Sequence, residues 1–214
     1  MTTYFQFHTK LDQTILLGIK ASTPSELLEG IRRVPRASIY YHTHRFLQQH
    51  HYLSPEPPND FAYWVSEMVN NPSLGEQLSS IDIIQFHKIS DIRSRFEEIL
   101  VSHLAEGKES MASPPGEEFH FMASQTFALK TPYTAHNLSE FREILQKVTI
   151  NSLYYHIFDA KLRLEKEEND FSLWFRTLGK TALADDVLHL DPYTLTLEGL
   201  RMRIVDMVGR HDTH

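Results

Sequence analysis

Apolar and polar residues alternate at Tyr4-Phe5-Gln6-Phe7 and again at Phe119-His120-Phe121, the period of two expected of a half-buried strand. Ile15 to Lys20 and Thr126 to Lys130 read the same way, so the pattern predicts short strands at four places. The period then lengthens to that of a helix. Leu27, Leu28, Ile31 and Val34 lie three and four apart behind Ser22-Thr23-Pro24, a helix start, and Phe141, Leu145 and Val148 follow Asn137 in the same way. Ile39, His42 and Phe46 share one face of a longer helix that opens at Ser38-Ile39-Tyr40-Tyr41-His42, which directs the histidine inward; Leu153, His156 and Ala160 repeat that geometry. Phe61, Trp64, Val65 and Met68 trace a buried face, as do Phe171, Trp174, Phe175 and Leu178. Asp60 and Asp170 stand just ahead of these runs, where a carboxylate is expected to accept free amide hydrogens and oppose the helix dipole. Short helices around Leu74 to Leu78 and Leu183 to Val187 come next. A final amphipathic helix carries Ile89, Ile92, Phe96 and Ile99 in one case and Leu197, Leu200, Ile204 and Met207 in the other. The fold class expected is mainly α with a small β element, α+β.

Every part of this pattern occurs twice. Ser-x-Tyr-Tyr-His at Ser38 returns at Ser152, Phe5-Gln6-Phe7 returns at Phe119-His120-Phe121, and both share a spacing of 114 residues. Asn59-Asp60-Phe61-Ala62-Tyr63-Trp64 returns as Asn169-Asp170-Phe171-Ser172-Leu173-Trp174, and Arg93-Ser94-Arg95 as Arg201-Met202-Arg203, with small losses of spacing of the kind that loops accumulate. The organisation expected is repeat 1 over residues 1–103, a Pro-, Gly- and Ser-containing linker over 104–118, and repeat 2 over 119–214. Two tandem copies about an approximate twofold axis, packed as one compact unit, is the architecture that follows.

Composition narrows the chemistry. The chain has 214 residues, 41% of them apolar counting Tyr, and a formal charge of -7 from 21 basic and 28 acidic side chains. With no basic block, nucleic acid ranks low as a partner. The absence of cysteine excludes disulfides, thiol catalysis and cysteine metal sites. The opening residues do not read as a signal peptide, and no apolar run approaches the roughly 18 residues of a membrane span, so the expectation is a cytoplasmic protein with no membrane partner.

The polar residues that both copies keep are the candidate site: Tyr41, His42, Asn59 and Asp60, with Tyr155, His156, Asn169 and Asp170, and a serine ahead of each Tyr-Tyr-His. A histidine oriented by a carboxylate can move protons, and two His with two Asp can ligate a divalent ion. The same residues also make an ordinary core, with Asp capping its helix and His bonded between helices, and that reading carries more weight; no cofactor or metal is expected. His42, His44, His50 and His51 resemble a metal cluster, but Phe158 replaces His44 in the other copy and no pair has the i, i+4 spacing that aligns two ligands, so a solvated helix end is expected there. Arg93 and Arg201 could grip a carboxylate or phosphate, or more simply form intramolecular ion pairs, for example with Asp82 or Asp191. Phosphate-binding Gly-Lys-Ser loops, dinucleotide glycine fingerprints, Gly-x-Ser-x-Gly elbows and His-Glu-x-x-His are missing.

An aromatic-x-Phe strand, a Tyr-His pair, an Asn-Asp-Phe-x-x-Trp helix start and a Leu-Ala-type short helix together resemble an uncharacterised bacterial and archaeal domain family of unknown function. Here Phe5 to Phe7, Tyr41-His42, Asn59 to Trp64 and Leu74-Gly75-Glu76 carry the pattern, and the second copy carries it again at Phe119 to Phe121, Tyr155-His156, Asn169 to Trp174 and Leu183-Ala184-Asp185. The resemblance supports the fold and implies no activity. The functional expectation is a helical interaction or regulatory module that binds a protein partner or small ligand. The alternative is an enzyme of unknown reaction working through the His42/Asp60 and His156/Asp170 pairs, with or without a divalent metal.

Overall fold

The structure, a computed structural model, describes residues 4–49, 59–107, 112–165, 167–190 and 194–212, with the side chains of 45–49 and 163–164 left aside. In chain order its elements are β1 (Phe5–Ala21), α1 (Pro24–Arg33), α2 (Arg36–Gln49), α3 (Asp60–Glu67), α4 (Pro72–Ser79), a 3-10 turn (Ile83–Gln85) and α5 (Ile89–Ala105). Then follow β2 (Phe119–Ala135), α6 (Leu138–Leu145), α7 (Ile150–Tyr154), a π-helical turn (Tyr155–Asp159), α8 (Ala160–Leu164), α9 (Asp170–Thr177), α10 (Thr181–Leu188) and α11 (Leu197–Asp212). The protein is mainly helical, and β1 and β2 pair as one antiparallel two-stranded sheet. No described helix is long and apolar enough to cross a membrane.

The strands depart from expectation. Instead of short runs separated by polar stretches, each is one continuous strand of 17 residues. Residues such as Thr9 and Thr14 interrupt the apolar alternation, but no proline or paired turn residues stand there to end the extended backbone.

The chain forms two compact units, and each strand changes unit partway along. Residues of β1 through Leu11 group with Thr126 onward, while Asp12–Gln49 groups with the residues that run through Gln125. Each unit therefore takes its Phe-x-Phe strand from the opposite copy.

In the unit holding α1–α5, Phe119 and Phe121 complete a core made by Leu27, Ile31, Phe61, Trp64 and Phe96. The Phe61 ring lies 5.3 Å from Phe119 and 5.0 Å from Phe96. In the unit holding α6–α11, Phe5 lies 5.4 Å from Phe171 and Phe7 lies 5.2 Å from Phe141. Burying one such ring contributes on the order of 2 kcal/mol, so the borrowed strand is a large part of each core.

Helix ends follow the local chemistry read from the sequence, with two corrections. Thr23 caps α1 with Pro24 as its first residue, and Asn137 caps α6. Asp60 and Asp170, however, do not cap. Asn59 and Asn169 do, accepting from the amides of Ala62 and Ser172, because each helix begins at the aspartate itself. The arginines meet expectation in part: Arg201 forms an intramolecular ion pair, but with Glu198 at 3.1 Å, and both arginines chiefly hold backbone carbonyls. Arg93 donates to the carbonyl of Val34 at 2.7 Å, and Arg201 to those of Leu145 and Val148 at 3.0 and 2.6 Å. A guanidinium fork suits the unpaired carbonyls that a helix C-terminus leaves. Asp82 instead caps the 3-10 turn through Ile84 and accepts from Gln85, and Asp191 lies outside the described residues.

Candidate functional site

His42 stands on α2 and His156 in the π-helical turn, and their aspartates are the first residues of α3 and α9. His42 Nδ1 lies 2.8 Å from Asp60 Oδ2, and His156 Nδ1 lies 2.7 Å from Asp170 Oδ2. The imidazoles are buried, at 2% exposure each. The second ring nitrogen decides what the pair can do. The backbone N–H of Met122 donates to His42 Nε2 at 2.9 Å, and the N–H of His8 donates to His156 Nε2 at 2.8 Å. An amide N–H can only donate, so Nε2 is the acceptor and the ring proton sits on Nδ1, donated to the carboxylate.

The serine of the motif adds to this grip in the α6–α11 unit. Ser152 Oγ donates to the carbonyl of His8 at 2.6 Å. Ser152 and His156, four residues apart, project from one side of the helical segment and hold both backbone groups of one strand residue. In the α1–α5 unit, His42 holds Met122, while the Ser38 hydroxyl is buried without a partner among the described residues. A strand in a two-stranded sheet has one edge without a strand neighbour; here side chains of the motif fill part of it.

The remaining shared residues gather around the same pairs. The Tyr41 ring meets His42 edge-on at 4.9 Å and the Tyr155 ring meets His156 at 5.1 Å. Asn59, fully buried, caps α3 through Oδ1 and donates through Nδ2 to the carbonyl of Leu78, tying α3 to α4. Asn169 caps α9 in a reciprocal box with Ser172. Phe5 and Phe7 wall His156, and Phe119 and Phe121 wall His42.

Three or more His, Asp or Glu side chains placed to share a metal ion do not occur among the described residues. His44 is not the solvated residue expected from its position. It is buried, stacked on Tyr40 at 5.3 Å and bonded to Thr43 Oγ1. His50 and His51 lie outside the described residues, as does the Phe46 side chain.

The sequence reading missed Lys10. It is fully buried in the α6–α11 unit, 2.8 Å from Asp159 Oδ2, with its ammonium 4.5 Å from the centre of the Tyr154 ring. A buried ammonium needs a carboxylate this close. The signal was available by comparing copies. Ser124 stands where Lys10 does, and Arg45 where Asp159 does, so one copy alone holds this charge pair. Asp159 closes the π-helical turn that begins at Tyr155, and such turns concentrate where a helix is shaped around particular side chains.

No curated protein matches the chain. Among solved structures, OrfY from Thermoproteus tenax is similar, with 27% identity and a TM-score of 0.83 over 99% of this chain and 96% of that one. The family model that matches residues 2–209 therefore spans both units and both His–Asp pairs, and the chain belongs to that family, a family of unknown function (DUF5752).

Proposed function

We propose that this chain is a non-catalytic interaction module, built from an internal duplication, that recognises a protein partner while its shared His, Asp and Asn residues hold the fold. The observation that supports this most is the occupancy of the imidazoles. A general base needs a nitrogen lone pair open to substrate. Both lone pairs that could serve, on His42 Nε2 and His156 Nε2, already accept a backbone amide. The pairs thus have the parts of a proton-transfer dyad and the wiring of a strand clamp.

Exposed apolar residues on the sheet support partner recognition there. In the α6–α11 unit, Leu11, Phe127, Leu129 and Tyr133 are exposed large apolar residues at 57%, 45%, 43% and 36%. Phe127, Leu129 and Tyr133 alternate with other residues and so share one strand face. Apolar side chains gathered in one place on a surface mark a binding region, and an extended strand can add main-chain pairing to it.

The test separates the two roles. The double variant F127S/L129S should keep the melting temperature of the wild type and lose the protein captured by the wild-type chain from cell extract. His156→Gln should lower the melting temperature. A proton-transfer or hydrolytic activity that His156→Gln abolishes at unchanged stability would overturn the reading in favour of an enzyme.

A further inference from the structure

The two copies differ sharply at one place. Arg142 on α6 and Arg203, Asp206, Gly209 and Arg210 on α11 line an open cleft of about 480 Å³ in the α6–α11 unit. At the matching positions the first copy carries Leu28, Arg95, Glu98, Val101 and Ser102. Leu28 is buried at 5% exposure, and Arg95 donates to Glu98 at 2.9 Å. That arrangement is ordinary: an apolar side chain packed inside and a surface arginine paired one turn along its helix.

The second copy gives up both features. Leu28 becomes the exposed Arg142, and Glu98 becomes the shorter Asp206. Among the described residues neither Arg142 nor Arg203 forms an ion pair. Val101 becomes Gly209, and this change is coupled to the first. A Cβ at Gly209 would lie 3.1 Å from both Cζ and Nε of Arg142, so the guanidinium rests against the helix backbone at a distance that any side chain there would push back by a few tenths of an ångström. Glycine inside a helix is unfavourable, and three guanidinium groups around one cleft repel each other. Local choices that work against stability together, at one spot, indicate a site. The cluster also stands against a chain whose formal charge is -7.

We infer that this cleft binds a small molecule carrying at least two oxyanion charges, phosphate or carboxylate, with Asp206 accepting a hydroxyl or amine hydrogen of the same ligand. Arginine forks match both kinds of oxyanion bidentately. None of the exposed strand residues assigned to a protein partner lines this cleft, and the inference stands or falls independently of them.

The experiment is calorimetric titration of the full chain with pyrophosphate and, separately, citrate, at low and at about 200 mM salt. Saturable one-site binding that weakens with salt is expected for at least one of the two, and which one binds identifies the oxyanion. Arg142→Gln and Gly209→Val should each weaken it by about tenfold or more, the scale of one lost charge-assisted hydrogen-bond set, with Arg142→Lys intermediate. Because these positions are on the surface, circular dichroism should show each variant folded, and R142L/G209V, which restores the first copy's pair, should melt no lower than wild type. Absence of saturable binding for both probes overturns the inference. So does binding that Arg142→Gln and Gly209→Val both leave unchanged.

Discussion

His42 and His156 each join three pieces of chain through two nitrogens: their own helix, the aspartate at the next helix start, and one strand amide. Removing the ring leaves that buried amide without an acceptor, which costs about 1–3 kcal/mol before any loss of packing. His42→Ala and His156→Ala are therefore expected to lower stability by at least that amount in urea denaturation. Asp60→Asn should cost less, since the amide oxygen still accepts from Nδ1 and the Asp60 side chain is 41% exposed. Long-range nitrogen–proton NMR should find both rings in the Nδ1–H form; a majority Nε2–H form at either position would contradict the clamp. The motif's importance could be read from its repetition, but its wiring could not. Asn59 and Asp60 are equally good caps by residue type, and only the position of the first helical turn assigns the cap to one and frees the other for the histidine.

At the level of elements, close approach and helix-end chemistry set the sensitive points. Gly30, in α1, faces the ring of the buried Phe121, and a Cβ there would run into that ring. Gly30→Ala improves helix propensity by about 1 kcal/mol, but overpacking against a fully buried aromatic costs about 1–3 kcal/mol. The expected result is a net loss in thermal melting, and a stabilised variant would show that the ring has room to move. Arg201, buried at 7% exposure, closes the end of α6 through two carbonyls. Arg201→Met, which removes both carbonyl bonds and the ion pair with Glu198, should lower stability by about 1–3 kcal/mol, measured by urea denaturation. Helices were legible here because their period and caps are local. The strands were legible only in part, since a polar interval without turn residues can equally be a loop or a continuation.

At the level of the molecule, the compact units and the sequence copies divide the chain differently. The unit holding α6–α11 takes Phe5, Phe7 and Lys10 from the opening of the chain. Deleting residues 1–11 is therefore expected to unfold helices more than a hundred residues away. In a two-dimensional NH spectrum the signals of α6–α11 should lose dispersion, and retained dispersion there would show that the strand is dispensable.

Periodicity and capping residues are properties of neighbouring residues, and they determined the helices and the inward histidines, while the recurrence of the motifs in the sequence singled out the residues around them. Which strand completes which set of helices was decided by tertiary structure alone. Phe5-Gln6-Phe7 and Phe119-His120-Phe121 offer either core the same two rings, so no local pattern distinguishes the partners. The length of the strand does. Seventeen extended residues reach roughly 55 Å, whereas a compact unit of about 100 residues has a radius of gyration of only about 13 Å. A strand of that length can give its opening rings to one set of helices and its closing residues to another.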